Sequence, residues 1–517
     1  MNQQTFAILH PSPSTGIPAY LSLHSENYNP YSSSPPSGSS SSSSLFKDQI
    51  QIITKTGEHC INTSLSPFQI KIQVKCCGLS KLDSQVRRGT FPLWKSQFSS
   101  SLESKIIENS EHPEAPSLSS CWIIPGYEVS GVVTQVGKKV NSKVFSVGDC
   151  VMGFIPVQNL NEYSDSNEDS NENNLSHQLI MESQDFETSS MMMTNPVLPS
   201  SLNGGCSTEC VADAHFFVKI PNGMSFIKAS SAIMCGIRAY DTLFFKCASP
   251  IRQGDVIFVS SGARWEQTYL LQLAILLAKC RVITTVHTDE EINFLRMISS
   301  RLTSSTILGN SPPFDTQYIS SVLSMMRSGN SAINPLVILD RRLYDTPEKL
   351  QQAIMKETNG LGVQLVVLGE SVLIPSSGNV HSRTSQEKQQ NSNLPKDRNP
   401  TTRFIDMCLN VLSTHGTLAF SEFCDHGLTA SHLEFMYSKS IAMTNIFEQS
   451  YVQNTNLIGR YLHILNNIVK DIHEEHIEIP IAHCLSLSSV RDAHRKLDNS
   501  ITGSSSSSFV GKIVIKM

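Results

Sequence analysis

The sequence predicts an α/β chain in two parts, an all-β, barrel-like region and a doubly wound parallel sheet. Three observations predict it. Short Val- and Ile-rich runs ending at glycines fill residues 50–156, apolar strands alternate with helical segments after Phe217, and the tail returns to isolated strands.

In chain order, "FQIKIQVKCCGLS", "GYEVSGVVTQVG" and "DCVMGFIP" read as strands of the first part, with Gly148-Asp149 at a tight turn between two of them. "ASSAIMCGIRAYDTL" has the length and small-residue content of a helix leading into the second part. There the strands are "VIFVS", "RVITTV", "PLVILD", "VQLVVLG" and "GTLAF", with helices such as 265–279, 347–358 and 403–412 between most of them. That alternation puts helices on both faces of a parallel sheet. A helix over 457–472, the strand region "IEIPIAHCLSL", a short helix "VRDAHRKL" and the closing strand "GKIVIKM" complete the β part from the far end of the chain.

Not all of the 517 residues fit this plan, since only 39% are apolar and 16% charged. The Ser-rich run 31–44, the Ser/Glu/Pro-rich 99–120, the acidic Asn/Ser/Met-rich 158–203 and the polar 376–402 lack apolar periodicity and are expected to be unfolded or looped out. Setting them aside leaves roughly 400 residues, an ordinary size for two domains.

The net charge of −5 and the absence of any Lys/Arg-rich run exclude a basic face, so neither nucleic acid nor a membrane surface is an expected partner. No run of 18 apolar residues and no signal-peptide pattern occurs. Thirteen scattered cysteines point to reduced thiols rather than a disulfide framework, and so to the cytoplasm.

Five blocks in order carry a family resemblance: "PGYEVSGVVTQVG…VGDCVMG" (125–153), "GCSTECV…FVKIPNGMSFIKASSAIMCGIRAYDTL" (205–243), "GDVIFVSSGA" (254–263), "ETNGLGVQLVVLGE" (357–370) and "GKIVIKM". They resemble the medium-chain dehydrogenase/reductase superfamily, and within it the zinc-free, zeta-crystallin-like quinone oxidoreductase branch. The resemblance implies a GroES-like β-barrel domain over 46–228, a Rossmann domain over 229–445, and a C-terminal return to the barrel over 446–517. Residues 1–45 precede them as an unstructured segment. It also implies NADPH in the cleft, hydride transfer to a quinone or other conjugated carbonyl, and relatives that pair their Rossmann sheets into homodimers.

Zinc is not expected. Where zinc-dependent relatives have a His between Gly and Glu, this chain has Gly126-Tyr127-Glu128, and Cys76, Cys77, Cys206 and Cys210 fall short of a structural zinc site. "HEEH" at 473–476 spaces its histidines three apart rather than four, so a solvated helix end is the expected reading. Ser80 and Gln85 stand where the family usually has active-site Asn and Tyr, and are the candidate catalytic residues. The candidate cofactor residues are Gly262, Ala263, Arg264, Trp265 and Gln267 in the first strand-to-helix turn, with His287 and Thr288 after the second strand facing a ribose or its 2′-phosphate.

That turn departs from the family. Quinone reductases place glycines where this chain has Arg264, Trp265 and Gln267, and glycine allows positive φ, close backbone approach to a diphosphate and tight helix packing. Losing two charge-assisted backbone bonds, at roughly 1.5–3 kcal/mol each, weakens a cofactor by about two to four orders of magnitude. Arg264 is either a surface side chain or a guanidinium that recovers part of that loss. Two expectations follow: an NADPH-dependent quinone or enone reductase, or a fold-preserving pseudoenzyme that serves as a binding or scaffold protein.

Overall fold

The computed structural model describes residues 3–9, 50–56, 65–87, 122–157, 201–202, 204–303, 334–369, 400–421, 428–502 and 510–517. The Ser-rich run 31–44 and the stretch 99–120 lie outside them, as does all but the end of 158–203 and of 376–402.

The N-terminal part is not wholly as expected. Gln3–Leu9 (β1) pairs antiparallel with Ile50–Thr56 (β2) over seven residues, and a small sheet extends through Trp122–Ile123 (β4) to Ser201–Leu202 (β7). The alternation in "QQTFAIL" and "IQIITKT" is short, but each strand supplies the other's backbone partners, which neither run has alone.

The barrel-like sheet is built on Gln69–Leu79 (β3), Glu128–Val136 (β5), Cys150–Phe154 (β6), Glu209–Asp213 (β8) and Phe217–Lys219 (β9). Two strands from the end of the chain, Ile481–Ser486 (β16) and Lys512–Lys516 (β17), join it beside β3, in the order β16-β17-β3-β5-β6-β9 with β8 also on β3. The tail therefore closes the sheet that the first part opens. A short helix, Lys81–Arg87 (α1), follows β3.

Phe226–Tyr240 (α2) leads into the second sheet, whose strands are Val256–Val259 (β10), Arg281–Val286 (β11), Leu336–Asp340 (β12), Val363–Leu368 (β13), Leu412–Phe420 (β14) and Ala442–Asn445 (β15). Every neighbouring pair is parallel and the order is β12-β11-β10-β13-β14-β15. The order reverses between β10 and β13, which makes the carboxyl ends of those two strands the ligand crevice of such a sheet. The sixth strand, "AMTN", is too short and polar to be read from sequence. Trp265–Leu276 (α3) and Asp289–Thr303 (α4) follow β10 and β11.

Alternation along β10 divides the interior. Ile257 and Val259 face a core shared with α2 and the barrel, while Phe258 faces a second core with Leu350, Phe404 and Ile405. Helix Ile458–His473 (α5) packs on α2, and its half-buried Asp471 accepts from Tyr240 Oη on α2 and Tyr269 Oη on α3, both at 2.8 Å. The helix Val490–Thr502 (α6) precedes the closing strand and lies against α1. "HEEH" sits at the carboxyl end of α5, where His476 Nδ1 lies 3.4 Å from Glu474.

Candidate functional site in the interdomain cleft

The first strand-to-helix turn is held by its own neighbours. Ser260 N–H donates to the Val367 carbonyl at 3.0 Å, Ser261 N–H to Thr285 Oγ1 at 2.9 Å and Gly262 N–H to Thr284 Oγ1 at 2.9 Å. Arg264 N–H returns to the Ser261 carbonyl at 3.0 Å, and the Gln267 and Thr268 N–H groups to the Arg264 carbonyl at 2.9 Å. Ser261 accepts a φ of +53° to make this possible. The two threonines of "RVITTV" thus supply from β11 what a phosphate supplies elsewhere, and only their strand character was legible in the sequence.

Gly262 is required by the fold itself. A Cβ there would lie 2.2 Å from Thr284 Oγ1, the atom that receives its N–H. Ala263 is buried beside it.

The three positions expected to be glycine carry side chains with definite partners. Arg264 Nη1 donates to the Ser500 carbonyl near the end of α6 at 3.0 Å, so its guanidinium is tied to a helix terminus. Gln267 is buried and crosses the crevice between β10, β13 and β14, where its Nε2 donates to Ser421 Oγ at 3.1 Å. Ser421 in turn bonds the Leu368 carbonyl at 2.9 Å, and Gly369 N–H donates to Ser260 Oγ at 3.0 Å. The reversal point of the sheet is stitched shut by neutral hydroxyls and an amide.

Trp265, the first residue of α3, is 6% exposed, and the ammonium of Lys512 lies 4.3 Å from its ring centroid. Lys512 belongs to the closing strand of the barrel, is fully buried, and pairs with the equally buried Glu128. Glu128 also accepts from Met234 N–H at 2.9 Å; burial pushes its carboxyl up to about 7 against the pull of Lys512. Neither charge was singled out from the sequence. A lone acid in "GYEVSGVV" and a lone base in "GKIVI" are the available signal, but their pairing across the chain is a product of the closing strand.

On the barrel side Ser80 begins α1. Its N–H and hydroxyl both lie on Asp83 Oδ2, at 2.8 and 3.2 Å, and Asp83 Oδ1 accepts from Gly126 N–H at 2.7 Å. Asp83 thus closes the first turn of α1 by accepting from Ser80, which has no exposed surface, whereas Gln85 on the helix is half-buried. Burial raises Asp83 to about 6 and holds the Tyr127 phenol well above its ordinary value, hence neutral. Gly126, at φ +99°, admits no Cβ: Cys77 Sγ would be 2.5 Å away.

His287 and Thr288 follow β11 and lead into α4. Thr288 Oγ1 accepts from Glu291 N–H at 3.2 Å and Glu291 accepts from His287 N–H at 2.6 Å, so the pair starts α4. Beside them Arg342 bridges Asp289 and Asp340, each at 2.6 Å.

As folded, the first turn offers few free donors to a dinucleotide. The turn's backbone bonds are largely internal, an indole stands at the helix start, Glu266 adds a negative charge to its first turn, and Arg264 points to Ser500. A metal fares no better among the described residues, where no group of three His, Cys, Asp or Glu side chains is placed to hold one. A neutral buried phenol at 127 is a poor ligand. The described cysteines are free thiols, and no described helix is long and apolar enough to cross a membrane.

Residues 66–222 match the alcohol dehydrogenase GroES-like domain. The mouse synaptic vesicle membrane protein VAT-1 homolog-like is 26% identical over 194 residues, 38% of this chain and 29% of its own length. The match thus spans about three tenths of that relative. A mycobacterial quinone oxidoreductase in its native form superposes with a TM-score of 0.52 at 17% identity, covering 91% of this chain and 96% of its own. A mycobacterial structure complexed with NADPH gives 0.53 at 16%, covering 90% and 95%. A GroES-like barrel sheet completed by the chain's own C-terminal strands, beside a six-stranded parallel sheet, is the fold this chain shares with those solved structures.

Proposed function

We propose that this chain is a zinc-free oxidoreductase of the quinone reductase type, whose reaction class is hydride transfer between a nicotinamide, NADPH rather than NADH, and a quinone or other conjugated carbonyl. One observation carries the reading: the reversal point of a parallel sheet lies beside a GroES-like barrel that contacts it through Trp265 and Lys512, and Ser80 and Gln85 on the barrel side are the candidate catalytic groups. Tyr127 in place of a metal-binding His supports the zinc-free branch. We place the protein in the reducing cytoplasm, in keeping with its free thiols, acting on a small molecule and not on nucleic acid or membrane, and capable of pairing as a homodimer.

A second reading has its own support. The bonds that close the turn favour a fold-preserving binding or scaffold protein with no dinucleotide. Purified protein titrated with NADPH and NADH, read by thermal shift and by cofactor oxidation with a benzoquinone, separates the two. The oxidoreductase reading expects a rise in melting temperature and quinone-dependent oxidation. No shift at about millimolar cofactor with an intact fold would leave the scaffold reading standing.

A further inference from the structure

We infer that Trp265 is the specificity-determining residue of this cleft: its indole occupies the place where a dinucleotide's diphosphate would lie, and the side chain itself, more than the loss of glycine backbone, decides whether a dinucleotide enters. The inference rests on reading the cleft as a nicotinamide site.

In a sheet of this order a diphosphate lies against the amino end of the helix that follows the first strand, where helix N–H groups and the helix dipole favour negative charge. Here that helix is α3, twelve residues long, and Trp265 is its first residue. The side chain neither lies along the surface nor returns into its own domain alone. It reaches the barrel, because Lys512 on the closing strand sits 4.3 Å from its ring centroid and both residues are buried. A group rooted at the helix start and touching the opposite domain spans the cleft at the diphosphate position.

It is also held there. Lys512 is fixed by Glu128, and Glu128 by Met234 N–H at 2.9 Å. The helix cannot withdraw, since Gln267 is bonded to Ser421 at 3.1 Å and Arg264 to the Ser500 carbonyl at 3.0 Å. The indole thus shields a buried cation from anything anionic. Removing it uncovers two features that attract a phosphate, the start of α3 and the Lys512 ammonium, so a single truncation is expected to create affinity rather than destroy it.

NADPH and 2′-phospho-ADP-ribose, which lacks the nicotinamide ring, are titrated by thermal shift and calorimetry against the wild type, Trp265→Phe, Trp265→Ala and the triple variant Arg264→Gly/Trp265→Gly/Gln267→Gly. Circular dichroism and melting without ligand confirm the fold, and Trp265→Leu carries the same comparison if the alanine variant does not fold. The expected result is at least about tenfold tighter binding of both probes by Trp265→Ala than by the wild type, with Trp265→Phe between them. Wild-type binding as tight as that of Trp265→Ala overturns the inference and leaves the nicotinamide reading intact. So does binding by the triple variant alone, which returns the decision to the backbone. If no folded variant binds either probe, the inference falls together with the nicotinamide reading.

Discussion

On the barrel face of the cleft the buried polar groups include ionisable ones: Asp83, Glu128 and Lys512, with Arg87, His494 and Asp498 further along α1 and α6. On the sheet face those that close the first turn are neutral: Ser260, Thr284, Thr285, Gln267 and Ser421. Charges brought together from distant parts of the chain make the domains depend on each other and on pH. Hydroxyls and an amide that satisfy one turn make that turn complete without a ligand. The glycines follow the same division. Gly126 and Gly262 stand where a Cβ would strike the chain's own atoms, whereas positions 264, 265 and 267 hold large side chains with partners of their own.

The largest test of this contrast is the pair at the centre of the barrel face. Lys512→Met leaves Glu128 buried with Met234 N–H but no counter-ion, and is expected to lower stability by about 3–5 kcal/mol. The double variant Glu128→Leu/Lys512→Met should recover most of that loss, since an apolar pair of similar volume carries no buried charge. Chemical denaturation midpoints check both. A double variant no better than the single one would show that the pair is not isolated from its surroundings.

The pH dependence should also reside on the barrel face. Burial holds His494 down to about 3, with Arg87 pushing the same way and Asp498 opposing, and neither ring nitrogen has a partner. The folded value lies below the ordinary value near 6.5, so the unfolded chain binds the extra proton in between. Stability from the neutral ring is therefore complete above about pH 6.5 and is lost as pH falls toward 3, amounting to roughly 3 kcal/mol at pH 4. Asp83 and Glu128, raised to about 6 and about 7, act with the opposite sign: their contribution is lost as pH rises through those values. Comparing the wild type with His494→Leu isolates the histidine. The variant's advantage in melting temperature should widen between pH 7 and pH 4, and a constant gap would remove His494 from the account.

The contrast also explains which parts were legible in the sequence. Five of the six parallel strands and the closing "GKIVIKM" were readable because apolar runs between helical segments declare themselves locally. The unusual turn was readable too, as missing glycines. What those side chains do was not readable, because each partner lies far along the chain: Ser500 for Arg264, Ser421 for Gln267, Lys512 for Trp265. The bond from the candidate catalytic Ser80 to Asp83 spans only three residues. "S-K-L-D" is a cap signature that the resemblance to an active-site block obscured. Thr288 with Glu291 repeats the pattern on α4.

The smallest effects test whether the division among glycines is real. Gly262→Ala places a methyl 2.2 Å from Thr284 Oγ1, and that hydroxyl cannot turn aside without giving up its bonds to Gly262 N–H at 2.9 Å and the Val259 carbonyl at 2.6 Å. Overpacking of this kind is expected to cost about 3 kcal/mol. Gln267→Gly removes one neutral hydrogen bond, while Ser421 keeps its bond to the Leu368 carbonyl, and it adds the cost of a glycine in a helix. Together these come to about 1–2 kcal/mol. If thermal or chemical denaturation ranks the two in the reverse order, the side chains of this turn are as necessary to the fold as Gly262. In that case they complete the scaffold, and clearing them would unfold the turn before it admitted a ligand.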